Sequence, residues 1–505
     1  MDTKSIMQSS GENSLTSHNE IITIEPLDEA FVRVRADGGV FRELVDYFTF
    51  EVPGARFMPA YRNKIWDGKI RLLNGINKTL PKGLVDYVVK FAEPRQYEVS
   101  IHESMLYDDE FSVAEAEKHI RNLNLKLEPR DYQIKAFTHA VRKKRALLLS
   151  PTASGKSLIA YMIATHYLLH TDRILIIVPT VSLVHQMAKD FIDYGMPDAM
   201  ISGIMAGVDK NAIKPVTIST WQSIHKLPKS WYESFGCVIG DEAHLFKSKS
   251  LSDIMNKMVN VKYRFGLTGT LDGAQTHKLV LEGLFGPVKQ VVKTNELIES
   301  GSLSPFKIKI IALRYSEEMR KQYCNSLYNE EMEFIHTHDK RNKFIRNLAL
   351  SLKGNTLVLF KLVDKHGKVL YNDIQDNAED GRHIFFVHGG TNADTREEIR
   401  SIAETEKNAI IVASYGTFST GINIRNLHNI VFASPSKSRI RNLQSIGRGL
   451  RKSEKKEQAV LYDIADDLSH GKKKNHSLKH MFLRVKMYKE EQFEYKVYQV
   501  DFKDD

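Results

Sequence analysis

Short apolar runs recur along the chain from about residue 145 onward, and each is followed by a longer stretch of mixed polar and apolar positions. The runs are rich in Ile, Leu and Val and are bounded by charged residues, glycine or proline. Such runs are typical of strands buried on both faces of a parallel sheet, with helices as the connections. The pattern predicts an α/β fold with strands at residues 146–149, 173–178, 216–219, 237–240, 307–312, 356–360, 383–387, 408–414 and 429–432.

The beginning of the chain follows a different pattern. Residues 1–19 are polar and contain Ser-Ser-Gly-Glu-Asn-Ser, which predicts a flexible extension. Residues 20–105 then predict a small α+β domain. Its expected elements are strands at 21–24, 31–34 and 97–101 and helices at 41–47 and 84–91.

The length of the chain requires further domains. The chain has 505 residues, which is more than a single hydrophobic core can accommodate, because single cores stop growing at about 250–300 residues. The first series of α/β strands finishes around 281–292, and a new one begins after Pro305. We therefore expect α/β domains at 106–300 and 301–468, followed by a basic tail with a helical segment at 469–505.

The composition favours a polyanionic partner. The net charge is +10 and the isoelectric point about 9.1, which fits nucleic acid binding, although a generally basic surface is the alternative.

Two distant cysteines, Cys237 and Cys324, form neither a disulfide framework nor a metal quartet and predict a cytoplasmic location. No apolar run reaches the roughly 18 residues of a membrane span, so no membrane partner is expected.

The segment at residues 150–157, Ser-Pro-Thr-Ala-Ser-Gly-Lys-Ser, joins a predicted buried strand to a predicted helix. This is the context of a phosphate-binding loop, in which backbone N–H groups and a helix N-terminus surround phosphate oxygens. The loop would offer Thr152, Ala153, Ser154 and Gly155 to ATP. Lys156 would reach the β- and γ-phosphates, and Ser157 would bind Mg²⁺. Ser150 stands where such loops usually begin with glycine.

Two carboxylates follow the strand at 237–240, in the sequence Asp-Glu-Ala-His at 241–244. Ligands bind at the carboxyl ends of parallel strands. Asp241 can therefore hold Mg²⁺, and Glu242 can position and deprotonate an attacking water. Leu-Thr-Gly-Thr at 267–270 follows the next strand, and its two hydroxyls suit a relay between the nucleotide and a partner site.

The segment Pro-Arg-Asp-Tyr-Gln at 129–133 precedes the loop by some 20 residues. Tyr132 and Gln133 could stack on and hydrogen-bond an adenine. The alternative is an ordinary helix start capped by Asp131.

Near the end of the second α/β domain lies Gln444-Ser-Ile-Gly-Arg448-Gly-Leu-Arg451. The spacing predicts that Arg448 and Arg451 share one helix face. Arginines aimed at a nucleotide across a cleft stabilise the charge of a transferring phosphoryl group. A basic surface helix is the alternative, which the fixed positions of Gln444 and Gly447 disfavour.

Two basic segments lie outside these motifs. In residues 56–71 cations alternate with aromatic residues, a composition suited to phosphates and bases. The candidates there are Arg62, Lys64, Trp66 and Lys69, and the alternative is a hairpin with a core of aromatic side chains. The lysines at 472–474 predict a solvated face, with contact to DNA as the alternative.

Taken in order, these motifs resemble those of superfamily 2 helicases and translocases over residues 130–465. The series includes Pro179-Thr180, Thr220-Gln222-Ser223 and Ser419-Thr420-Gly421-Ile422-Asn423. The resemblance implies two tandem RecA-like domains with ATP between them and nucleic acid across both. It assigns Gly421, Gln444, Arg448 and Arg451 to ATP, with Arg451 favoured as the finger, and adenine recognition to Gln133. Thr180, Gln222, Ser223 and Thr420 would face the nucleic acid backbone. Asn423 departs from the Asp of many members.

Within this superfamily the chain most resembles the UvsW-type recombination and repair helicases of T4-like phages. The resemblance rests on Tyr61-Arg-Asn-Lys-Ile-Trp-Asp-Gly-Lys-Ile-Arg-Leu-Leu73, on the phosphate loop and on residues 411–422. It implies ATP-driven remodelling of branched, forked and single-stranded DNA, including fork regression, Holliday-junction migration and R-loop or D-loop unwinding, with 3′ to 5′ polarity. A location in the host cytoplasm would follow. RNA–DNA hybrids and recombination proteins remain open as partners. The alternatives are a duplex translocase without strand separation, an RNA helicase, and an ATP-independent annealing protein.

Overall fold

The computed structural model describes residues 20–105, 110–421, 424–452 and 456–502. The chain forms two compact units that divide between Leu106 and Tyr107, and each is described here by itself. The extension expected at residues 1–19 lies outside the described residues.

The first unit is an α+β domain around a four-stranded sheet in the order β5-β2-β1-β6. β2 runs antiparallel to β1 and to β5, whereas β6 runs parallel to β1. Alternate residues of β1 and β2 are buried, as a sheet with one covered face requires. The elements are β1 (Ile21–Pro26), β2 (Phe31–Arg35), α1 (Gly38–Tyr47), β3 (Thr49–Glu51), α2 (Pro59–Arg62), β4 (Lys69–Arg71), β5 (Thr79–Pro81), α3 (Val85–Ala92) and β6 (Glu98–Ile101).

The second unit contains two lobes, each built on a seven-stranded sheet whose paired strands are all parallel. The first sheet has the order β13-β7-β12-β11-β8-β10-β9. The interior strand β8, which lies between β11 and β10, is buried at every position, which explains its uninterrupted apolar sequence. The first lobe comprises α4 (Val113–Asn122), α5 (Asp131–Lys143), β7 (Arg145–Leu149), α6 (Lys156–Tyr167), β8 (Ile174–Val178), α7 (Val181–Asp193), β9 (Ile201–Ile204), β10 (Val216–Thr220), α8 (Trp221–Ile224), α9 (Lys229–Tyr232), β11 (Cys237–Asp241), α10 (Lys249–Lys257), β12 (Tyr263–Thr268), α11 (Gln275–Phe285) and β13 (Val288–Gln290).

The second sheet has the order β16-β17-β15-β18-β19-β14-β20. The second lobe comprises α12 (Thr294–Glu299), β14 (Phe306–Arg314), α13 (Glu317–Tyr323), α14 (Tyr328–Thr337), α15 (Asp339–Ser351), β15 (Thr356–Phe360), α16 (Lys368–Asp376), β16 (Ile384–Val387), α17 (Ala393–Thr405), β17 (Ile410–Ser414), α18 (Tyr415–Gly421), β18 (Asn429–Phe432), α19 (Arg439–Gly449), β19 (Ala459–Asp467), α20 (His476–Glu490) and β20 (Tyr495–Asp501).

The C-terminal segment differs from the expected basic tail. Residues 476–490 form the expected helix, but residues 495–501 form β20, which pairs in parallel with β14 and is the outermost strand of the second sheet. Phe493 is buried against Phe306, with 5.3 Å between ring centroids. The segment is therefore an integral part of the second lobe.

The expected boundary at residue 300 also differs from the packing. Val292, Leu297 and Leu303 are buried in the hydrophobic core of the second lobe. The second lobe thus begins to pack before helix α12, because the connection from the first sheet lies against it.

Strand β12 extends through Thr268, so Leu267 and Thr268 lie within the strand that they were expected to follow. Over the ranges that the structure describes, no helix combines the length and the apolar character needed to cross a membrane.

Candidate active site

The loop at residues 150–155 turns sharply between β7 and α6. Ala153 and Gly155 have φ angles of 66° and 79°, in the left-handed region, and helix α6 begins at Lys156. Backbone N–H groups in such a turn point inward and form an anion nest at a helix N-terminus. Ser150 is fully buried, and its hydroxyl is 2.6 Å from that of Ser154. The serine in the usual glycine position therefore holds the loop together.

Tyr132 and Gln133 lie behind this loop. The Gln133 amide donates to the carbonyl of Ser154 at 2.8 Å, and its oxygen accepts from the Arg130 N–H at 2.9 Å. The Tyr132 hydroxyl donates to the same carbonyl at 3.0 Å. A Cβ on Gly155 would lie 2.3 Å from the Gln133 nitrogen. Both ends of the Gln133 side-chain amide are thus bonded to the protein in this conformation. This favours a role for Gln133 in supporting the loop over a role in contacting adenine.

Helix α5 begins at Asp131, and the capping position belongs to Arg130 rather than to Asp131. Arg130 is the residue of this segment that lines the cleft between the lobes.

Lys156 and Ser157 occupy the first turn of α6. The Lys156 ammonium makes long contacts to the carbonyls of Ser150 and Pro151, at 3.4 and 3.5 Å. The Ser157 hydroxyl lies 3.1 Å from the hydroxyl of Tyr194. Burial raises the pKa of the neighbouring Asp190, which lines the same cavity.

Asp241 ends strand β11, and Glu242 follows in the left-handed region with φ 49°. The Glu242 carboxylate contacts the His244 ring at 3.2 Å, and the same ring nitrogen lies 3.0 Å from the Thr268 hydroxyl. Gln444 of the second lobe donates to Glu242 at 3.4 Å. The acidic pair is therefore connected both to the end of β12 and to the opposite lobe.

The two carboxyl groups have opposite pKa shifts. Burial, with the adjacent Glu242 charge, raises the pKa of Asp241. Burial also acts to raise the pKa of Glu242, but the hydrogen bond from His244 and the charge of Lys156 outweigh it and lower that pKa. The Glu242 carboxyl group is thus held in its ionised form.

Helix α19 brings the second lobe against the phosphate loop. A Cβ on Gly447 would lie 2.7 Å from Cβ of Thr152, so only glycine permits this approach. The helix ends at Gly449. Arg451 lies beyond that end, and the expectation that it shares a helix face with Arg448 is wrong. Both arginines nevertheless line the same cavity.

This cavity, of about 570 Å³, lies between the lobes. Its walls carry six cationic and three acidic side chains: Arg130, Lys156, Arg425, Arg448, Arg451 and Lys452, with Asp190, Asp241 and Glu242. Burial, with the charge of Arg451, lowers the pKa of Arg448 to about 10. Among the described residues the buried Nε of Arg451 has no hydrogen-bond partner. An excess of positive charge and an unused guanidinium donor fit a polyphosphate.

Three residues that line this cavity were not predicted, namely Asp190, Tyr194 and Arg425, and neither was Lys456, which contacts cavity residues from behind. Lys456 is buried, and its ammonium donates to the carbonyls of Gly449 at 2.7 Å, of Arg425 at 3.1 Å and of Arg451. It therefore joins the end of α19 to the segment after α18. No motif identifies Lys456, because its partners are backbone carbonyls.

The residues expected to face nucleic acid on the first lobe lie together at the carboxyl ends of β8 and β10, which are neighbours in the sheet. Thr180 caps helix α7. The Gln222 amide donates to the carbonyl of Pro179 at 3.4 Å, and the Ser223 hydroxyl lies 2.9 Å from that of Thr220. Thr420 and Gly421 belong to α18, but their side-chain surroundings, like Asn423, lie outside the described residues.

In the first unit, a surface depression is lined by Arg56, Tyr61, Arg62, Lys64, Ile65, Trp66, Asp67 and Arg71. We call it the basic–aromatic surface. The Trp66 indole donates to the carbonyl of Lys69 at 2.9 Å, which fixes the ring, and Ile65 is 79% exposed. Phe57 is 63% and Tyr61 41% exposed, so these aromatic residues lie at the surface rather than in a hairpin core.

Three family models match the chain. They are the N-terminal domain of DNA helicase UvsW at residues 22–102, the res subunit of type III restriction enzymes at 126–273, and the helicase conserved C-terminal domain at 339–453.

Individual proteins are similar over most of the chain. The ATP-dependent DNA helicase uvsW of Enterobacteria phage T4 is 38% identical over 492 residues, covering 93% of this chain and 97% of the phage protein. The DNA 3′-5′ translocase XPB2 of Sulfurisphaera tokodaii is 25% identical and covers 67% of this chain and 82% of its own. The crystal structure of T4 UvsW matches with a TM-score of 0.51 and 36% identity, over 95% of this chain and 99% of that one. These matches and the two parallel sheets confirm tandem RecA-like domains after a small α+β domain.

Proposed function

The chain belongs to the UvsW family of superfamily 2 helicases, and on this ground we propose that it is an ATP-driven motor that remodels branched DNA. Its reactions would include fork regression, Holliday-junction migration and the unwinding of R-loops and D-loops. The observation that carries the proposal is one cavity between two lobes. Lys156, Asp241 and Glu242 contribute to it from the first lobe, and Arg448 and Arg451 from the second.

In the proposed cycle each lobe supplies part of the hydrolytic site. The nest at 152–155 and Lys156 bind phosphate oxygens, and ionised Glu242 orients the attacking water and accepts its proton. Arg451 and Arg448 stabilise charge on the transferring phosphoryl group. Ser157 and Asp241 offer the oxygen ligands that Mg²⁺ prefers, and bound Mg²⁺ would neutralise phosphate charge.

Because neither lobe is complete alone, hydrolysis depends on closure of the cleft. Gly447 against Thr152 and Gln444 against Glu242 are the contacts that closure makes and opening breaks. Alternating closure and opening would move the second lobe along a strand held by Thr180, Gln222 and Ser223. Backbone contacts of this kind carry no base information, so no sequence preference is expected.

The proposal is tested by measuring ATPase activity with single-stranded, duplex, forked and RNA–DNA hybrid substrates. Forked DNA is expected to stimulate most strongly, and Lys156→Ala to abolish both stimulation and remodelling. Arg451→Ala should lower kcat by about 10³-fold or more, since a finger contributes roughly 10³–10⁵. Lys262→Ala removes an exposed lysine of the first lobe that does not line the cavity, and it should have no effect. Remodelling by Lys156→Ala at the wild-type rate would instead identify an ATP-independent annealing protein.

A duplex translocase without strand separation is the second candidate, favoured by the restriction-enzyme subunit model that matches residues 126–273. A strand-displacement assay on forked and on blunt duplex DNA distinguishes the two. Displacement on the fork supports the helicase. ATP consumption on both substrates with displacement on neither supports the translocase.

A further inference from the structure

The lysines at 472–474 lie on a rigid loop between β19 and α20. The backbones of His470 and Lys473 exchange two hydrogen bonds of 3.1 Å, and Gly471 between them has φ 57°. The buried Asn475 amide anchors the loop by donating to the carbonyl of Asp466 at 3.0 Å. The lysine side chains are exposed, but the backbone that carries them is fixed.

These lysines face the segment after helix α13 across a cavity of about 450 Å³. We call it the lysine pocket, and its lining residues are Cys324, Asn325, Ser326, Lys472, Lys473, Lys474, Asn475, His476 and Lys479. No carboxylate is among them. Glu331 contacts the same loop, but it accepts from the N–H groups of His476 and Ser477, at 2.8 and 2.6 Å. Its charge is thereby directed at the N-terminus of α20.

The four lysines of the pocket have no salt-bridge partner within the described part of the chain. Lys474 lies over the ring of Phe482, 4.3 Å from its centroid. Exposed lysines are ordinarily interspersed with acidic residues, so four cations around one concave site create a local positive potential. The hydroxyl of Ser326 and the amide of Asn325 add neutral donors.

The pocket lies near the carboxyl ends of the strands in the second sheet, where ligands of such sheets bind. Tyr328 connects them. Its hydroxyl is 3.3 Å from the ammonium of Lys361, which follows β15, and its ring is 5.6 Å from that of His476. The pKa of His480 is lowered to about 4 by burial and then by the charges of Arg484, Lys437, His476 and Lys361. Lys361 and Lys437, which follow β15 and β18, therefore add positive charge near the His476 side of the pocket, at the carboxyl ends of the strands.

We propose that the lysine pocket binds the phosphodiester backbone of nucleic acid, as an electrostatic contact on the second lobe additional to the helicase motifs. The proposal rests on the proposed function, since it assumes a nucleic acid substrate. Lysine is suited to this role because its ammonium group is a compact charge on a flexible side chain. It can therefore contact successive phosphates as the nucleic acid moves past the pocket. The contact reads no sequence.

The test is the salt dependence of binding by the full chain carrying Lys472→Gln, Lys473→Gln and Lys474→Gln together. Duplex and single-stranded oligonucleotides are titrated separately between 50 and 200 mM salt, a range in which each lost phosphate contact removes about 0.9 or 0.7 from the logarithmic slope. The expected result is a slope smaller by about 2–3 and affinity ~10–100-fold weaker at 0.1 M salt. A larger change with duplex identifies a duplex arm, and a larger change with single strands identifies the translocating strand.

Lys307→Gln, Lys353→Gln and Lys407→Gln form the matched control, because these exposed lysines lie at the amino ends of strands in the same sheet. The control should retain the wild-type slope, and the corresponding Lys→Arg triple variant of the pocket should restore it. Asn325→Asp provides a second variant, in which a carboxylate opposes the lysines and weakens binding without deleting them. Thermal unfolding confirms that each variant folds.

An unchanged slope in both pocket variants overturns the proposal, as does an equal loss in the amino-end control. If the proposed function is wrong, the result is different: no nucleic acid stimulates the ATPase activity of the wild-type protein.

Discussion

At the residue scale, two positions of the second lobe determine whether the cleft can form. Gly447 permits the backbone of α19 to approach Thr152. Lys456 donates to the main-chain carbonyls of Arg425, Gly449 and Arg451. Neither residue needs to touch the nucleotide, and both act on the position of Arg448 and Arg451.

Gly447→Ala should lower kcat/KM for ATP by about tenfold or more. The added Cβ would lie 2.7 Å from Cβ of Thr152, so the lobes could not close fully. Steady-state ATPase measurements check this. Gly389→Ala, with open space around the new Cβ, is the matched control, and equal activity of both variants would contradict the proposed closure contact.

Lys456→Met should lower kcat about tenfold, the equivalent of ~1.4 kcal/mol, which is in the range of a hydrogen bond to a charged group. Burial lowers the pKa of Lys456 to about 8. The ammonium present below that pH has three donors for three carbonyls, and the amine present above it has two. Wild-type ATPase should therefore fall as pH rises through about 8, and the variant should lack this decline. A variant that keeps the wild-type kcat and pH profile would exclude the positioning role.

At the element scale, the outermost strand β20 completes the second lobe. It covers one edge of β14, whose other edge pairs with β19. Most of its side chains are exposed, but Val500 and the adjacent Phe502 pack against the core of the lobe. Its contribution therefore comes from main-chain pairing and from these two side chains.

Removal of residues 494–505 should lower the melting temperature of the second lobe by about 5–10 °C, because several main-chain hydrogen bonds of ~1 kcal/mol each are lost. Differential scanning calorimetry measures the change. Removal of residues 503–505 alone, which leaves β20 intact, is the control. An unaltered transition in the longer truncation would show that β20 contributes nothing to the stability of the lobe.

At the scale of the whole molecule, the motor and the basic–aromatic surface belong to separate compact units. The ATP cavity is formed entirely by the second unit. We therefore expect that removing the first unit separates ATP hydrolysis from the proposed recognition of branched DNA.

Deletion of residues 1–105 should preserve most of the ATPase activity stimulated by single strands and abolish fork regression. The first unit would act as a wedge or a second grip at the junction, through the exposed Ile65 and the cations around Trp66. Fork regression and ATPase assays on the same preparation test this. Undiminished regression by the truncated protein would refute the wedge.

Much of the site could be predicted because its residues occupy short contiguous motifs. The phosphate loop, Asp241 and Glu242 each follow an apolar strand, so their place at the carboxyl edge follows from the parallel sheet. The prediction that Arg451 shares a helix face with Arg448 was wrong because α19 ends two residues before it. The ends of helices depend on packing that helical periodicity does not describe.

The sequence by itself determined the two α/β lobes, the α+β domain and most of the short motifs that line the cavity, because apolar periodicity and loop chemistry act over a few neighbouring residues. Only the tertiary structure decided that Gly447 meets Thr152, that Lys456 joins Arg425 to Arg451, and that residues 495–501 complete the second sheet. These contacts depend on segments that fold together from different parts of the chain. They are made by main-chain atoms or depend on the missing side chain of a glycine, and neither leaves a pattern in the order of side chains.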